Sequence, residues 1–423
     1  MLSTLRNAWK VPELRKRFLW TIFLVAIFRI GIHIPVPGID TSALSTLTES
    51  GGLLSFYNLI SGGAFTKASI LALSVSPYIN ASIIMQLLTI AIPSLEQLSK
   101  EGEEGRKKIQ SITRYVSIGI ACVLALGVYS TIANLGATSG VGTLEKIVVI
   151  FSLVVGSTFC MWLGDQITQK GFGNGVSILI FVNIVSQIPS TVNSVYTLKT
   201  AGEISIIEIL LFLVGVIALL AVTIFFSLAE RRVPIQYAGK AVGSKVMKGQ
   251  STHIPLSIIG SAVIAIIFAM SVMMFPTTIA AFFPSKGWAS WITSSKYSIF
   301  NTGTWMYPVC YAVLTVFFTW FYTQITFKPD EMAENLHKSA GFVPGIRPGE
   351  ATEKYFEKLL TKVSIIGGLF AAFLAVTPIL VGKYISGVQF GGTSLLILIG
   401  VALDFSRQLD SQLVMRHYQG FLK

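Results

Sequence analysis

Apolar runs close to membrane length alternate with polar stretches along nearly the whole chain, and this alternation predicts a bundle of membrane-crossing helices. The runs lie near 18–34, 74–92, 112–135, 147–167, 176–188, 204–228, 254–275, 305–327, 363–380 and 393–405. Most approach the roughly 20 residues that a helix needs to cross the hydrocarbon core. The fifth and tenth are shorter, and each follows a glycine cluster, GFGNG at 171–175 and FGGTS at 390–394. Short, glycine-interrupted segments in matching places imply two repeats, and an odd five helices per repeat makes them inverted. The expected fold is therefore all-α and integral to the membrane, with ten spanning helices in two halves, 1–195 and 196–423.

One stretch does not fit simple crossing. Residues 55–88, SFYNLISGGAFTKASILALSVSPYINASIIMQLL, begin as an apolar segment broken by Gly62 and Gly63 and continue, past Ser76-Pro77, as a spanning helix over about 74–92. Broken backbone at membrane depth is tolerated only where it is buried in protein or lines an aqueous cavity. The first part is expected to be a short, half-polar helix standing inside the bundle.

Charge sets the orientation. With the amino terminus inside, 25 Lys and Arg fall on the cytoplasmic side and six (Lys67, Lys146, Lys199, Lys286, Lys296, Lys383) on the other, while Arg29 lies within a segment. That asymmetry follows the positive-inside rule and predicts two cytoplasmic termini. The net charge of +12 is thereby mostly topology. Composition agrees: 52% of residues are hydrophobic and only 12% charged, about half of what a soluble domain carries.

Several motifs are excluded in turn. Arg15-Lys16-Arg17 before FLWTIFLVAIF mimics a secretory signal, but no small-residue cleavage site follows and nine further segments do, so the segment is expected to be retained. Cys122, Cys160 and Cys310 sit in apolar runs at spacings that match no metal motif, and read as inert core thiols. The four histidines are scattered, so no metal is expected. GFGNG lacks the strand and spacing of a dinucleotide site and reads as a turn between helices, and no Walker-type phosphate loop occurs. No cofactor or enzymatic activity is expected. Asp165, Glu208 and Asp404 fall near predicted helix ends, away from the midplane where an ion-coupled transporter, the alternative reading, holds its ionisable groups. Arg29 is the exception inside a segment, and is expected to anchor against protein or snorkel.

Two predicted cytoplasmic loops, 230–253 and 328–362, exceed the usual length of a helix connection. In the first, Glu230 stands against Arg231, Arg232, Lys240, Lys245 and Lys248. This charge serves equally a solvated positive-inside loop and a surface for RNA phosphates. The second balances six acids against six bases, among them Lys354 and Lys358, which topology does not require. Its centre, GFVPGIRPGE at 341–350, holds Arg347 on a rigid exposed turn, a pattern that serves a protein partner or a merely solvated turn residue.

Nine strings, in order, carry a resemblance: FRIGIHIPVPGID (28–40), SGGAFTKASI (61–70), SPYINASIIMQLL (76–88), EGEEGRKKI (101–109), WLGDQIT (162–168), GFGNGVS (171–177), QSTHIPL (250–256), GFVPGIRPGE (341–350) and GGTSLLI (391–397). Over nearly its whole length the chain resembles the SecY/Sec61-alpha family, the central subunits of protein-conducting channels. The resemblance implies two five-helix halves around an hourglass pore, hinged between the fifth and sixth segments, with a lateral gate to lipid between the second and seventh. It implies a plug over about 54–73, centred on Ser61, Gly62, Gly63, Ala64, Phe65, Thr66 and Lys67. It also implies a constriction of Ile79, Ile83, Ile180, Ile184, Ile267 and Ile397. Isoleucine suits that task because its branched side chain is stiff and offers ions no polar group; by periodicity alone these residues would pass for ordinary packing.

The implied function is passage of unfolded, signal-bearing preproteins across the bacterial cytoplasmic membrane, and lateral release of membrane proteins into lipid. The implied partners are SecE and SecG in the membrane, with the motor ATPase SecA or a ribosome on the cytoplasmic loops.

Overall fold

The computed structural model describes residues 9, 11–39, 58, 61–134, 142–202, 205–237, 241–242, 245–246, 251–282, 286–301, 303–384 and 392–420. In chain order the elements are α1 (Pro12–Gly31), α2 (Ser76–Ala91), α3 (Pro93–Lys100), α4 (Glu103–Asn134), α5 (Thr143–Lys170), α6 (Gly175–Thr200) and α7 (Ile206–Leu228). They continue with β1 (Glu230–Tyr237), β2 (Ala241–Val242), β3 (Lys245–Val246), β4 (Ser251–Ser257), α8 (Ala262–Phe282), α9 (Gly287–Ser294) and α10 (Met306–Phe327). The last are α11 (Pro329–Lys338), β5 (Gly341–Phe342), α12 (Glu350–Tyr384) and α13 (Gly392–Gly420). Among the described residues six helices are long and apolar enough to cross a membrane, or seven if α2 and α3, bent by 101°, count as one span. The second segment thus ends at Ala91, where Pro93 opens a new helix at a steep angle.

The chain divides into two compact units, one of residues 1–197, 274–302 and 400–423, the other of 198–273 and 303–399. In the first, α1 starts with Pro12 in its opening turn, where a missing N–H costs nothing. It buries Leu14, Thr21, Leu24 and Phe28 along one stripe and exposes Ile22, Phe23 and Ile30 on another. Large exposed apolar side chains are the surface expected of a helix facing lipid. Small residues allow close backbone approach: a Cβ on Gly156 of α5 would collide with the Ile70 carbonyl, and one on Gly175 with that of Gly164. The GFGNG segment is a turn between α5 and α6, as its composition predicted, with Gly173 at φ +81°. The Phe172 N–H donates to Thr21 Oγ1 (3.0 Å) and Gly175 N–H to Thr168 Oγ1 (2.9 Å), tying the turn to α1 and α5. Asp165, near the end of α5, accepts from Arg114 of α4 at 2.8 Å. The thiols are not uniformly in the core, for Cys160 is buried but Cys122 is exposed.

In the second unit α10 packs along α12. Thr315, Thr319 and Thr323 line one buried face, each returning its hydroxyl to the carbonyl four residues earlier. Gly368 of α12 meets this face, with Val316 and Thr319 where its Cβ would be. The same unit holds something that loop length did not foresee. The two long loops fold together into a three-stranded antiparallel sheet, β4-β1-β5, joining 230–257 to 341–342. Val233 and Ile235 of β1 alternate with exposed neighbours and pack with Leu256, Leu336, Val343, Phe356 and Leu360. Pro234, which has no N–H, is tolerated in the central strand because β5 pairs only Gln236 and Tyr237. The helical fold class holds, with this small sheet as an appended body.

Candidate functional site

Three groups of residues carry the expected function. The first is the isoleucine set. Ile79 and Ile83 lie on one face of α2, and Ile180 and Ile184 on one face of α6, each pair spaced by four. Ile83, Ile180, Ile184 and Ile397 are buried, while Ile79 and Ile267 are half-buried. Ile79, Ile83, Ile180 and Ile184 belong to one unit, and Ile267 of α8 and Ile397 of α13 to the other.

The second group is the plug segment. Its expected residues 54–57 and 59–60 lie outside the described residues; Asn58 is helical, and 61–75 run as turns, with a single bridge at Ser69, where a short helix was expected. The reason is visible in the dihedral angles: Gly62 (φ +68°), Gly63 (+85°), Ala68 (+47°) and Ser74 (+50°) all adopt left-handed backbone, which no α-helix accommodates. Ser61, Gly62, Ala64 and Phe65 are buried, Gly63 and Thr66 half-buried, and Lys67 exposed.

Local hydrogen bonds close this turn series. Asn58 Oδ1 accepts from both the Thr66 N–H (3.1 Å) and Oγ1 (2.6 Å), and Ser61 Oγ accepts from the Phe65 N–H (3.2 Å). The chain leaving α1 braces it: Val36 N–H donates to Ala68 O (2.8 Å), Ile70 N–H to Ile34 O (3.0 Å), and Ser69 Oγ to Gly31 O (3.1 Å). At the exposed end Lys67 Nζ lies 2.8 Å from His33 Nε2. Gln187 of α6 donates from Nε2 to Asn58 O (2.7 Å), and Asn183 donates from Nδ2 to Ser74 Oγ (3.3 Å).

Arg29, expected as an anchor, stands beside Gly62, where a Cβ would meet Asn183 Oδ1 at 2.6 Å and Arg29 Nη1 at 3.1 Å. Among the described residues that guanidinium nitrogen is buried without a hydrogen-bond partner. Sequence reasoning passed over Asn183 and Gln187. The available signal was two amides three and seven residues after Ile180, in a run otherwise rich in aliphatic residues.

The third group lies on the sheet body. Arg231 and Arg232 are exposed on β1, Lys245 is in β3, and Lys240 and Lys248 lie outside the described residues. Arg347 is exposed on a turn tied at both ends. Ile346 N–H donates to Val343 O (3.1 Å), Thr352 Oγ1 to Arg347 O (2.8 Å), and Gly345 (φ +84°) and Gly349 (+98°) supply the reversals. Buried Val343 and Phe356 pin the two flanks into the sheet body's core. Lys354 and Lys358 are exposed on one face of α12, and Lys354 pairs with Glu350 at 2.6 Å. A fixed guanidinium with five donors in a planar fork suits a carboxylate or phosphate on a partner. Among the described residues no cluster of three or more His, Cys, Asp or Glu is placed to hold a metal.

Known proteins resemble this chain in sequence and in fold. The sequence profile of the SecY family matches residues 69–406. The protein translocase subunit SecY of Rickettsia typhi is 40% identical over 420 residues, covering 97% of this chain and 96% of that protein. A solved structure described as showing that the plug domain of the SecY protein stabilises the closed state of the translocation channel and maintains a membrane seal matches with TM-score 0.65. It is 17% identical and covers 97% of each chain. Sec61 in the canine ribosome-channel complex from the endoplasmic reticulum matches with TM-score 0.60 at 18% identity, again over 97% of each chain. At such identities these structures speak for the fold.

Proposed function

This chain belongs to the SecY family, and from that premise we propose how it works as a protein-conducting channel. Membership sets aside the ion-coupled transporter. The family consists of channel subunits rather than catalysts, so the energy for export comes from elsewhere.

The observation that carries the reading is the plug segment: a buried, non-helical stretch between two helices, held by single side-chain and backbone hydrogen bonds and by its own buried apolar residues rather than by a continuous ladder. Such backbone belongs inside a bundle that must both seal and open. In the proposed mechanism, Ile79, Ile83, Ile180, Ile184, Ile267 and Ile397 form an apolar ring in a pore between the halves 1–195 and 196–423, five spanning helices each. The ring dewets when empty. The plug, about 54–73, closes the outer side. An unfolded preprotein passes through, and a signal or membrane segment leaves by a gate between the second and seventh spans.

A signal of about ten Leu-like residues gains roughly 3 to 6 kcal/mol on the translocon scale. That is enough to shift a two-state closed channel toward open. The sheet body is the docking platform, with Arg347 as its fixed contact for the motor ATPase SecA, and Arg231, Arg232, Lys240, Lys245, Lys248, Lys354 and Lys358 as the basic surface for SecA or ribosomal RNA and protein. SecE and SecG complete the channel in a bacterial cytoplasmic membrane, with both termini of this chain inside.

The test is Arg347→Glu in reconstituted vesicles containing the assembled channel. The variant is expected to insert and assemble normally but to lose ATP-driven export, with Arg347→Lys recovering only part because an ammonium lacks the planar fork. Normal export by Arg347→Glu would remove Arg347 from the motor contact.

A further inference from the structure

Asn183 and Gln187 stand out because they share a helix face with the isoleucines assigned to the constriction. Ile180, Asn183, Ile184 and Gln187 follow the spacing i, i+3, i+4, i+7, which places all four along one side of α6. Residues 183 and 187 hold the chain on both sides of the plug's glycines: Gln187 Nε2 donates to the carbonyl of Asn58 (2.7 Å) ahead of them, and Asn183 Nδ2 donates to Ser74 Oγ (3.3 Å) at the entry to α2. Between these two attachments, Gly62 lies against the Asn183 amide and the Arg29 guanidinium so closely that no side chain fits.

From this geometry we infer that Asn183 and Gln187 form a latch that sets how readily the plug leaves, so that α6 couples the state of the constriction to the state of the plug. This inference rests on the reading of residues 54–73 as a plug. Gln187 reaches a backbone carbonyl, an acceptor only, so the plug recognises a donor at this position rather than an amide as such. Asn183 is fully buried and its partner is a hydroxyl on a residue with left-handed backbone (φ +50°), so the bond also holds the strained junction between plug and α2. Any rotation or shift of α6 that moves Ile180 and Ile184 moves both attachments with them, because all four residues ride on one rigid helix. A client that displaces the isoleucines on α6 therefore loosens the plug without touching it. Asn183 and Gln187 are positioning residues: they act on conduction through the plug.

The experiment compares ion leak across planar bilayers, and export of clients with defective signal sequences, for the assembled channel carrying Gln187→Leu, Gln187→Lys, Asn183→Leu, Ser74→Gly or a deletion of residues 62–67. Losing one hydrogen bond of this kind is expected to raise leak about threefold to tenfold in Gln187→Leu and Asn183→Leu, with a matching gain in tolerance of defective signals. Gln187→Lys, which keeps a donor, should return leak toward the wild-type value. Ser74→Gly keeps the left-handed turn and removes the hydroxymethyl group that Asn183 Nδ2 reaches, so it should raise leak in the same direction as Asn183→Leu, and combining the two should give less than the product of the separate effects. The 62–67 deletion should leak most and be insensitive to Gln187→Leu. Equal leak from the Leu and Lys variants at 187, or wild-type leak from both Leu variants while the deletion still leaks, would overturn the latch and leave the plug reading standing. Wild-type leak in the deletion itself would overturn the plug reading, and the latch with it.

Discussion

The plug segment and the sheet body on the long loops differ in how their backbones are held. Asn58 and residues 61–74 bury Phe65, Leu71 and Leu73, but their backbone is fixed by single hydrogen bonds from Thr66, Gln187, Asn183 and the chain leaving α1 and by left-handed turns at Gly62, Gly63, Ala68 and Ser74. The sheet body is held by an antiparallel ladder of seven residue pairs between β1 and β4 and by an apolar core around Phe356, Leu360 and Leu256. Each net hydrogen bond stabilises by only about 0.5 to 1.5 kcal/mol, whereas each large apolar side chain buried contributes about 1.5 to 3 kcal/mol. Apolar burial thus holds both parts, and the difference lies in the backbone: irregular turns rearrange bond by bond, whereas a paired ladder moves as a unit. That difference is what the proposed gate and the proposed platform each require.

The strongest way to break the comparison is Phe356→Ala. Removing a fully buried ring from the sheet body should destabilise it by about 3 to 5 kcal/mol. Proteolysis within 230–257 and 341–360 should accelerate and ATP-driven export should fall, while ion leak through the resting channel stays at the wild-type value. A rise in leak would mean that platform and gate are not separate. Ile397→Asn tests the proposed seal of ring and plug, since a buried amide left unpaired in the closed state costs about 1 to 3 kcal/mol and less once the site is wet. Leak and export of clients with defective signals should both rise, and deleting residues 62–67 should raise leak further. Unchanged leak in both would contradict a seal made of ring and plug.

The smallest expected effect is the sharpest in meaning. Thr352→Ala removes the hydroxyl that donates to the Arg347 carbonyl (2.8 Å), a loss of about 0.5 to 1.5 kcal/mol in holding the turn. Motor-driven export should drop severalfold in rate with no change in leak or in the stability of the sheet. If Thr352→Ala leaves the export rate intact, the fixed geometry of that turn is not what the partner reads.

How much of this was legible in the sequence varied by region, for physical reasons. Helices such as α7 and α10 were plain because burial in lipid demands long apolar runs. The turn at GFGNG was plain because glycine clusters have few other uses. The break ahead of the second helix was legible in Gly62 and Gly63, but not its turn series, since nothing in the residue types marks Ala68 and Ser74 for left-handed backbone. The sheet was missed because its halves are some 90 residues apart and its alternation, Val233, Ile235, Ile254 and Leu256, is short enough to be lost among loop charges. Asn183 and Gln187 were passed over because two amides in an apolar run mark a polar face but not what it holds until their partners, Ser74 and the Asn58 carbonyl, are placed.

The central claim is that an unfolded client passes the isoleucines, and a photoreactive side chain at single positions tests it most directly. With a secretory chain stalled in transit, probes at 83, 184 and 397 should crosslink to it in high yield. A probe at Ile217, 56% exposed on α7 and facing outward, should give lipid adducts and no client. Crosslinks at 217 with none at the three isoleucines would contradict the account.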